Sequence, residues 1–108
     1  MVTLNDIDLI KERIENEKMV LAYFTTNDCN MCKDLFPKIE NMLKEFPNIA
    51  LLRSEADIEP KIVGLYSVFM VPTIVLFIEG KETIRRSRTV SVDELAGAIA
   101  RYYEMIFE

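Results

Sequence analysis

The sequence predicts an α/β fold, because apolar runs of strand length alternate with segments whose apolar residues recur at helical spacing. A strand, a helix and a second strand follow one another between Met19 and Leu52, which predicts two parallel strands joined by a right-handed crossover. After Pro72 the pattern is that of a hairpin followed by an amphipathic helix. Parallel and antiparallel pairs together predict a mixed sheet covered by helices.

Composition narrows the class of protein. A chain of 108 residues, half of them hydrophobic, predicts a single domain spanning residues 1–108. The formal net charge of -5 argues against nucleic acid or an anionic membrane as a partner. No apolar run approaches the length of about 20 residues that a membrane span needs, and acidic residues stand where a secretory signal would be basic. We therefore expect a cytoplasmic protein.

The first half of the chain is predicted to contain three strands and two helices. In chain order they are a strand at Val2–Leu4, a helix at about residues 6–17 capped by Asn5 or Asp6, a strand at Met19–Thr25, a helix from near Cys29 to Phe46, and a strand at Ile49–Leu52. Pro37 lies inside the second helix and is expected to kink it.

The second half is predicted to contain a short helix, a hairpin and a terminal helix. They fall at about residues 60–67, at Thr73–Ile78 paired with Thr83–Arg88 across a Glu79–Gly80 turn, and after a capping box formed by Ser91 and Glu94. The return strand is polar and basic enough to be a sheet edge. We interpret its Lys81, Arg85, Arg86 and Arg88 as edge charges that discourage aggregation, in preference to a binding patch.

Both cysteines of the chain, Cys29 and Cys32, lie at the start of the helix that follows the strand at Met19–Thr25. A pair this close cannot join distant segments, so a structural disulfide explains it poorly. At the amino end of a helix, Cys29 would be favoured as a thiolate. Cys32, one turn deeper, could attack a mixed disulfide formed at Cys29. The pattern predicts a redox dithiol at the carboxyl end of a strand.

Other interpretations of the cysteine pair stay open at this point. Incidental cysteines would leave a noncatalytic interaction module. A metal or iron–sulfur carrier would need a dimer or a second protein, because two cysteines supply half of a tetrahedral site. The chain contains no histidine, which excludes imidazole catalysis and mixed cysteine–histidine zinc sites. We predict no metal ligands.

The chain resembles thioredoxin over nearly its full length. The resemblance rests on the strand before the dithiol, Cys29-Asn30-Met31-Cys32-Lys33, Pro37 five residues later, Val71-Pro72-Thr73 before a strand, Gly80 in the hairpin, and the terminal helix. It implies a thioredoxin fold, in which helices flank both faces of a central mixed sheet of four or five strands. It also implies a cis Pro72 beside the dithiol.

Several positions around the dithiol depart from the usual pattern of that family, whereas the positive charge at position 53 is kept. Tyr23 stands where thioredoxins carry a buried aspartate that is thought to help deprotonate the second cysteine, and Arg53 matches the lysine that faces this aspartate. A buried Tyr23–Arg53 contact is therefore expected. Asp28, next to Cys29, would oppose thiolate formation, whereas Arg88, at the position of a family glycine, would favour it.

The resemblance implies a thiol–disulfide oxidoreductase that reduces protein disulfides without a bound cofactor. Cys29 would attack, Cys32 would resolve the mixed disulfide, and Pro72 would position the substrate. Met31, Met70 and Val71 are expected to form an apolar lip that contacts substrate, while Phe69 fits the core and this surface equally well. Electrons would come from a donor resembling thioredoxin reductase.

Overall fold

The computed structural model describes residues 2–107 and contains five strands and four helices within that range. The strands are β1 (Val2–Thr3), β2 (Met19–Thr25), β3 (Ala50–Glu55), β4 (Thr73–Ile78) and β5 (Lys81–Ser87), and the helices are α1 (Ile7–Asn16), α2 (Asn30–Leu43), α3 (Lys61–Tyr66) and α4 (Val92–Phe107). No helix in the described range is both long enough and apolar enough to cross a bilayer.

The five strands form one mixed sheet in the order β1-β3-β2-β4-β5. β3 runs parallel to β1 and β2, whereas β4 runs antiparallel to β2 and β5. The predicted parallel unit and hairpin are therefore both confirmed, and β5 is an edge strand. Since β4 runs against β2, its first residue, Thr73, pairs with Phe24 near the end of β2. The two ends meet at the edge of the sheet that carries the cysteines.

Every residue of β2 is buried, and its side chains alternate between two hydrophobic cores. Tyr23 points into the core that holds the buried side chains of α2 and α4, including Ile39 and Ile99. Phe24 points into the core that holds those of α1 and α3, including Ile10. Helices thus cover both faces of the sheet, which confirms the predicted fold class.

Helix α2 ends at Leu43, three residues before the predicted end at Phe46. After Leu43 the backbone forms hydrogen bonds between residues three apart, as in a 3-10 turn; the N–H of Phe46, for example, donates to the carbonyl of Leu43 at 2.9 Å. Phe46 stays buried and packs against Tyr103, with ring centroids 5.2 Å apart. Its place in the apolar pattern therefore reflects its burial and not membership of the helix. Pro37 lies inside α2, which is continuous through it.

Strand β3 runs to Glu55, three residues beyond the predicted end at Leu52. Its polar second half is held by pairing, since Arg53, Ser54 and Glu55 lie opposite the last three residues of β2. A buried central partner thus extends a strand that composition alone would end.

The hairpin is tighter than predicted, because β5 begins at Lys81 and ends at Ser87. Glu79 and Gly80 have φ values of 50° and 82°, as expected for a two-residue turn with positive φ at both positions. Arg88 therefore lies one residue beyond the edge strand, and its predicted place within that strand is wrong.

Candidate active site

A short turn carries the chain from the end of β2 into α2 and sets the position of both cysteines. The N–H of Cys29 donates to the carbonyl of Thr26 at 3.3 Å. Cys29 is the N-cap of α2, and its Sγ accepts a hydrogen bond from the N–H of Cys32 at 3.1 Å. The sulfur of Cys29 therefore accepts a backbone hydrogen bond at a helix amino end, the environment that stabilises a thiolate.

Cys29 and Cys32 form a disulfide, with their Cα atoms 5.3 Å apart. The two sulfurs differ in access, because Cys32 is only 1% exposed whereas Cys29 is half-buried. An incoming group can therefore reach Cys29 far more easily than Cys32. Within residues 2–107 no cluster of three or more His, Cys, Asp or Glu side chains could hold a metal ion.

The Val71–Pro72 peptide is cis, as expected from the resemblance. Pro72 is buried and directly precedes Thr73, which pairs with Phe24 of β2. The segment is anchored on two sides. The Thr73 hydroxyl donates to the carbonyl of Met70 at 2.6 Å, and the carbonyl of Pro72 accepts from the N–H of Arg88 at 2.8 Å. This loop is thereby held against the end of the sheet that carries the dithiol.

The predicted apolar lip is largely open to solvent. Met31 is 54% exposed and Met70 is 45% exposed, while Val71 is half-buried and packs against both cores. Phe69, which the sequence left undecided, is 77% exposed and so does not belong to the core. It adds apolar surface next to the lip.

Tyr23 is fully buried, and its hydroxyl donates to the main-chain carbonyl of Cys32 at 2.6 Å. Burial raises the pKa of Tyr23 to about 12, and the positive charge of Arg53 opposes the increase. The phenol is therefore neutral at physiological pH. It acts as a hydrogen-bond donor to the first turn of α2 and not as a base.

Arg53 lies opposite Tyr23 in the register of β2 and β3, and both side chains contact the ring of Phe36. The Arg53 guanidinium carbon lies 5.5 Å from the ring centroid of Phe36, and that ring meets Tyr23 edge-on with centroids 5.0 Å apart. Sequence reasoning did not select Phe36. The available signal was its position four residues after Cys32, which places it on the same face of the helix.

The remaining two charges predicted to modulate the dithiol, Asp28 and Arg88, are both exposed. The carboxylate of Asp28 accepts a hydrogen bond from the Thr26 hydroxyl at 2.9 Å, within the turn that leads to Cys29. Arg88 has a φ of 62° and contacts the cis-proline loop through its backbone N–H. The structure therefore brings one anion and one cation to the edge that carries the dithiol.

The fold and the site together define a class of protein. A disulfide between residues i and i+3 caps a helix at the carboxyl end of a central parallel strand, and a cis-proline loop lies at the same edge. Such a pair interconverts dithiol and disulfide by exchange with another thiol or disulfide.

Comparison with known proteins agrees with this class. The family model for thioredoxin matches residues 2–101. The thioredoxin-like protein YdfQ of Bacillus subtilis is 32% identical over 105 residues, which cover 97% of this chain and 94% of that protein. A thioredoxin of Chlamydia trachomatis is 33% identical over 84 residues, covering 78% and 82% of the two chains.

Solved structures show the same fold. A thioredoxin of Trypanosoma brucei brucei superposes with a TM-score of 0.87 at 20% identity, covering 96% of this chain and 91% of that one. A point mutant of the thioredoxin from Halobacterium salinarum gives 0.83 at 24% identity, with coverage of 94% and 89%. The chain belongs to the thioredoxin family. With its Cys29–Cys32 disulfide it is, in general terms, a thiol–disulfide oxidoreductase.

Proposed function

We propose that this protein reduces disulfides in other proteins through Cys29 and Cys32. The observation that carries the proposal is the unequal access of the two sulfurs, in which Cys29 is half-buried at the helix cap and Cys32 is 1% exposed. This is the arrangement expected when one thiolate meets the substrate and the other acts only after the first has reacted.

The proposed reaction takes two exchange steps. The Cys29 thiolate attacks one sulfur of the substrate disulfide; that S–S bond breaks, and the departing substrate thiolate takes up a proton. Cys32 then loses its proton and attacks Cys29 Sγ, which forms the Cys29–Cys32 disulfide and releases the second substrate thiol. Two electrons pass from the protein to the substrate, and no cofactor is required.

Substrate would lie along the cis-proline loop. The two hydrogen bonds at Thr73 and Arg88 fix the backbone of Met70 and Pro72, so it is preorganised to meet an extended chain. Met31, Met70 and Val71 would contact apolar side chains that flank the substrate disulfide. Thioether side chains adapt to varied apolar partners, which suits a protein with more than one substrate.

The proton of Cys32 would leave without a buried carboxylate to receive it. Tyr23 occupies that place, and its pKa of about 12 keeps it protonated while its hydroxyl is committed to the Cys32 carbonyl. We propose that water accepts the Cys32 proton and that Arg53 favours the resulting anion, while Arg88 favours and Asp28 opposes the thiolate of Cys29.

Members of the thioredoxin family act on disulfide substrates and are reduced in turn by partner proteins. For this chain we propose an electron donor that resembles thioredoxin reductase. The proposed compartment is the cytoplasm, where the surroundings keep thiols reduced and a cysteine pair of this kind serves catalysis more often than structure.

The test is reduction of insulin disulfides in the presence of a dithiol reductant. We expect the wild-type chain to accelerate precipitation of the insulin chains, and Cys29→Ser to abolish that acceleration because the attacking sulfur is gone. Cys32→Ser keeps the attacking sulfur and removes the resolving one, so it should accumulate mixed disulfides at Cys29 with proteins of a cell extract.

Equal rates for wild type and Cys29→Ser would refute the catalytic proposal and leave a noncatalytic interaction module. If Cys32→Ser trapped no protein, the proposed division of labour between the two cysteines would be wrong.

A further inference from the structure

Arg88 adopts a backbone conformation that is unfavourable for its side chain. Its φ of 62° lies in the left-handed region, which residues with a Cβ seldom occupy. Its N–H donates to the carbonyl of Pro72 at 2.8 Å, so this residue sits directly against the cis-proline loop. A strained residue at such a site is a reason to look for a function of its side chain.

The guanidinium of Arg88 differs from its neighbours in having no internal partner. On β5, Arg85 pairs with Glu82 at 2.8 Å and Arg86 pairs with Glu94 at 2.7 Å. In the described part of the chain, the side chain of Arg88 takes part in no hydrogen bond or ion pair, and it is exposed. Of these three arginines, the one beside the cis-proline loop is the one free to bind an external anion.

A shallow cavity of about 270 Å³ opens next to Arg88. Met31, which directly precedes Cys32 in the chain, lines the cavity and so places it close to the dithiol segment. Asp34 and Lys38 of α2 also line it, and their opposite charges offset each other. The charge of Arg88 therefore leaves the cavity positive overall, with apolar surface from Met31 beside it.

We propose that this cavity receives an acidic side chain next to the substrate disulfide, and that Arg88 binds its carboxylate. The protein would thus prefer protein disulfides flanked by Asp or Glu to those flanked by Lys. A guanidinium matches a carboxylate with two parallel hydrogen bonds. The net charge of -5 gives acidic chains no general attraction to the protein, so a preference for them requires a local cation such as Arg88.

This inference rests on the proposed disulfide reductase activity, because it concerns which disulfide Cys29 attacks. The direct test uses three peptides that contain the same disulfide and differ at one adjacent residue, which is Glu, Gln or Lys. Initial rates of reduction give kcat/KM for each peptide at low ionic strength. We expect the wild-type protein to reduce the Glu peptide about fivefold more efficiently than the Lys peptide, as for one exposed charge pair.

Two substitutions at position 88 separate charge from backbone conformation. Asn tolerates left-handed φ, so Arg88→Asn should keep the loop but lose the preference, giving nearly equal values for the Glu and Lys peptides. Arg88→Lys keeps the charge and should retain a reduced preference. About 0.5 M salt should weaken the wild-type preference as well, because an exposed ion pair is screened.

Lys81→Gln is the matched control, since Lys81 is an exposed cation at the far end of the same hairpin. It should leave the preference intact. A preference that survives in Arg88→Asn, or that Lys81→Gln removes equally, would overturn the inference. If the wild type reduced all three peptides rapidly and at equal rates, the inferred preference would be overturned while the proposed function stood. If it reduced none of them, both the preference and the proposed function would be overturned.

Discussion

At the scale of single residues, the site differs from the usual thioredoxin pattern most at Tyr23. The sequence identified this position as the place of a buried carboxylate, but it could not show where the phenol points. The structure directs the hydroxyl to the Cys32 carbonyl and brings the Phe36 ring into contact with both Tyr23 and the Arg53 guanidinium. Such contacts depend on rotamers and on the packing of two elements, which residue spacing does not specify.

We predict that Tyr23 ionises at a higher pH than an ordinary tyrosine. Because burial raises the pKa of Tyr23 to about 12, its ionisation should appear as the last step when phenolate absorbance is followed against pH, and Tyr23→Phe should remove that step. The folded pKa lies above the unfolded value of about 10. The stability this confers should therefore be present below about pH 10 and be lost as pH rises towards 12.

One outcome of this titration would contradict the prediction for Tyr23. If wild type and Tyr23→Phe differed only by one ordinary tyrosine step near pH 10, the burial assigned to the Tyr23 phenol would be wrong. Tyr23→Phe also removes the hydrogen bond from the Tyr23 hydroxyl to the Cys32 carbonyl. Its loss should lower the free energy of unfolding, measured by urea denaturation, by about 0.5–1.5 kcal/mol.

At the scale of elements, the positions of helices and strands were predictable wherever apolar spacing was clear. The ends were not predictable where a neighbouring element decided them. Phe46 is buried beyond the end of α2, and the polar residues up to Glu55 extend β3 because β2 pairs with them. β5 ends at Ser87, which pairs with Thr73, the first residue of β4, and so Arg88 lies outside the strand.

The cis-proline loop is held in place by a side chain of β4, that of Thr73. Replacing Thr73 by Val keeps the shape but removes the hydroxyl that donates to Met70 O. The carbonyl loses that partner and the loop should loosen. We expect KM for a protein disulfide to rise severalfold, with little change in the rate at which a small disulfide oxidises Cys29.

Thr83→Val provides the control, because the Thr83 hydroxyl also bonds a backbone carbonyl, that of Lys81 at 3.1 Å, near the hairpin turn. That substitution should leave both kinetic values unchanged. An unchanged KM in Thr73→Val would show that this hydroxyl does not hold the loop in a binding conformation.

At the scale of the whole molecule, one sheet joins the two cores. The central strand β2 is buried on both faces and delivers the chain to Cys29, so the site is positioned by the most enclosed element of the fold. A single domain across residues 1–108 remains a prediction, and the shared sheet supports it. The sequence was informative at this scale because alternation, helical spacing and the cysteine motif are all properties of the linear pattern.

The central proposal is that the whole fold serves reduction of protein disulfides, and the equilibrium potential of the Cys29–Cys32 couple tests it most directly. It is measured by equilibrating the protein with defined glutathione mixtures and quantifying the oxidised fraction. We predict a potential near that of a reducing thioredoxin, about -270 mV. A value of about -120 mV, typical of a strongly oxidising disulfide, would contradict the account.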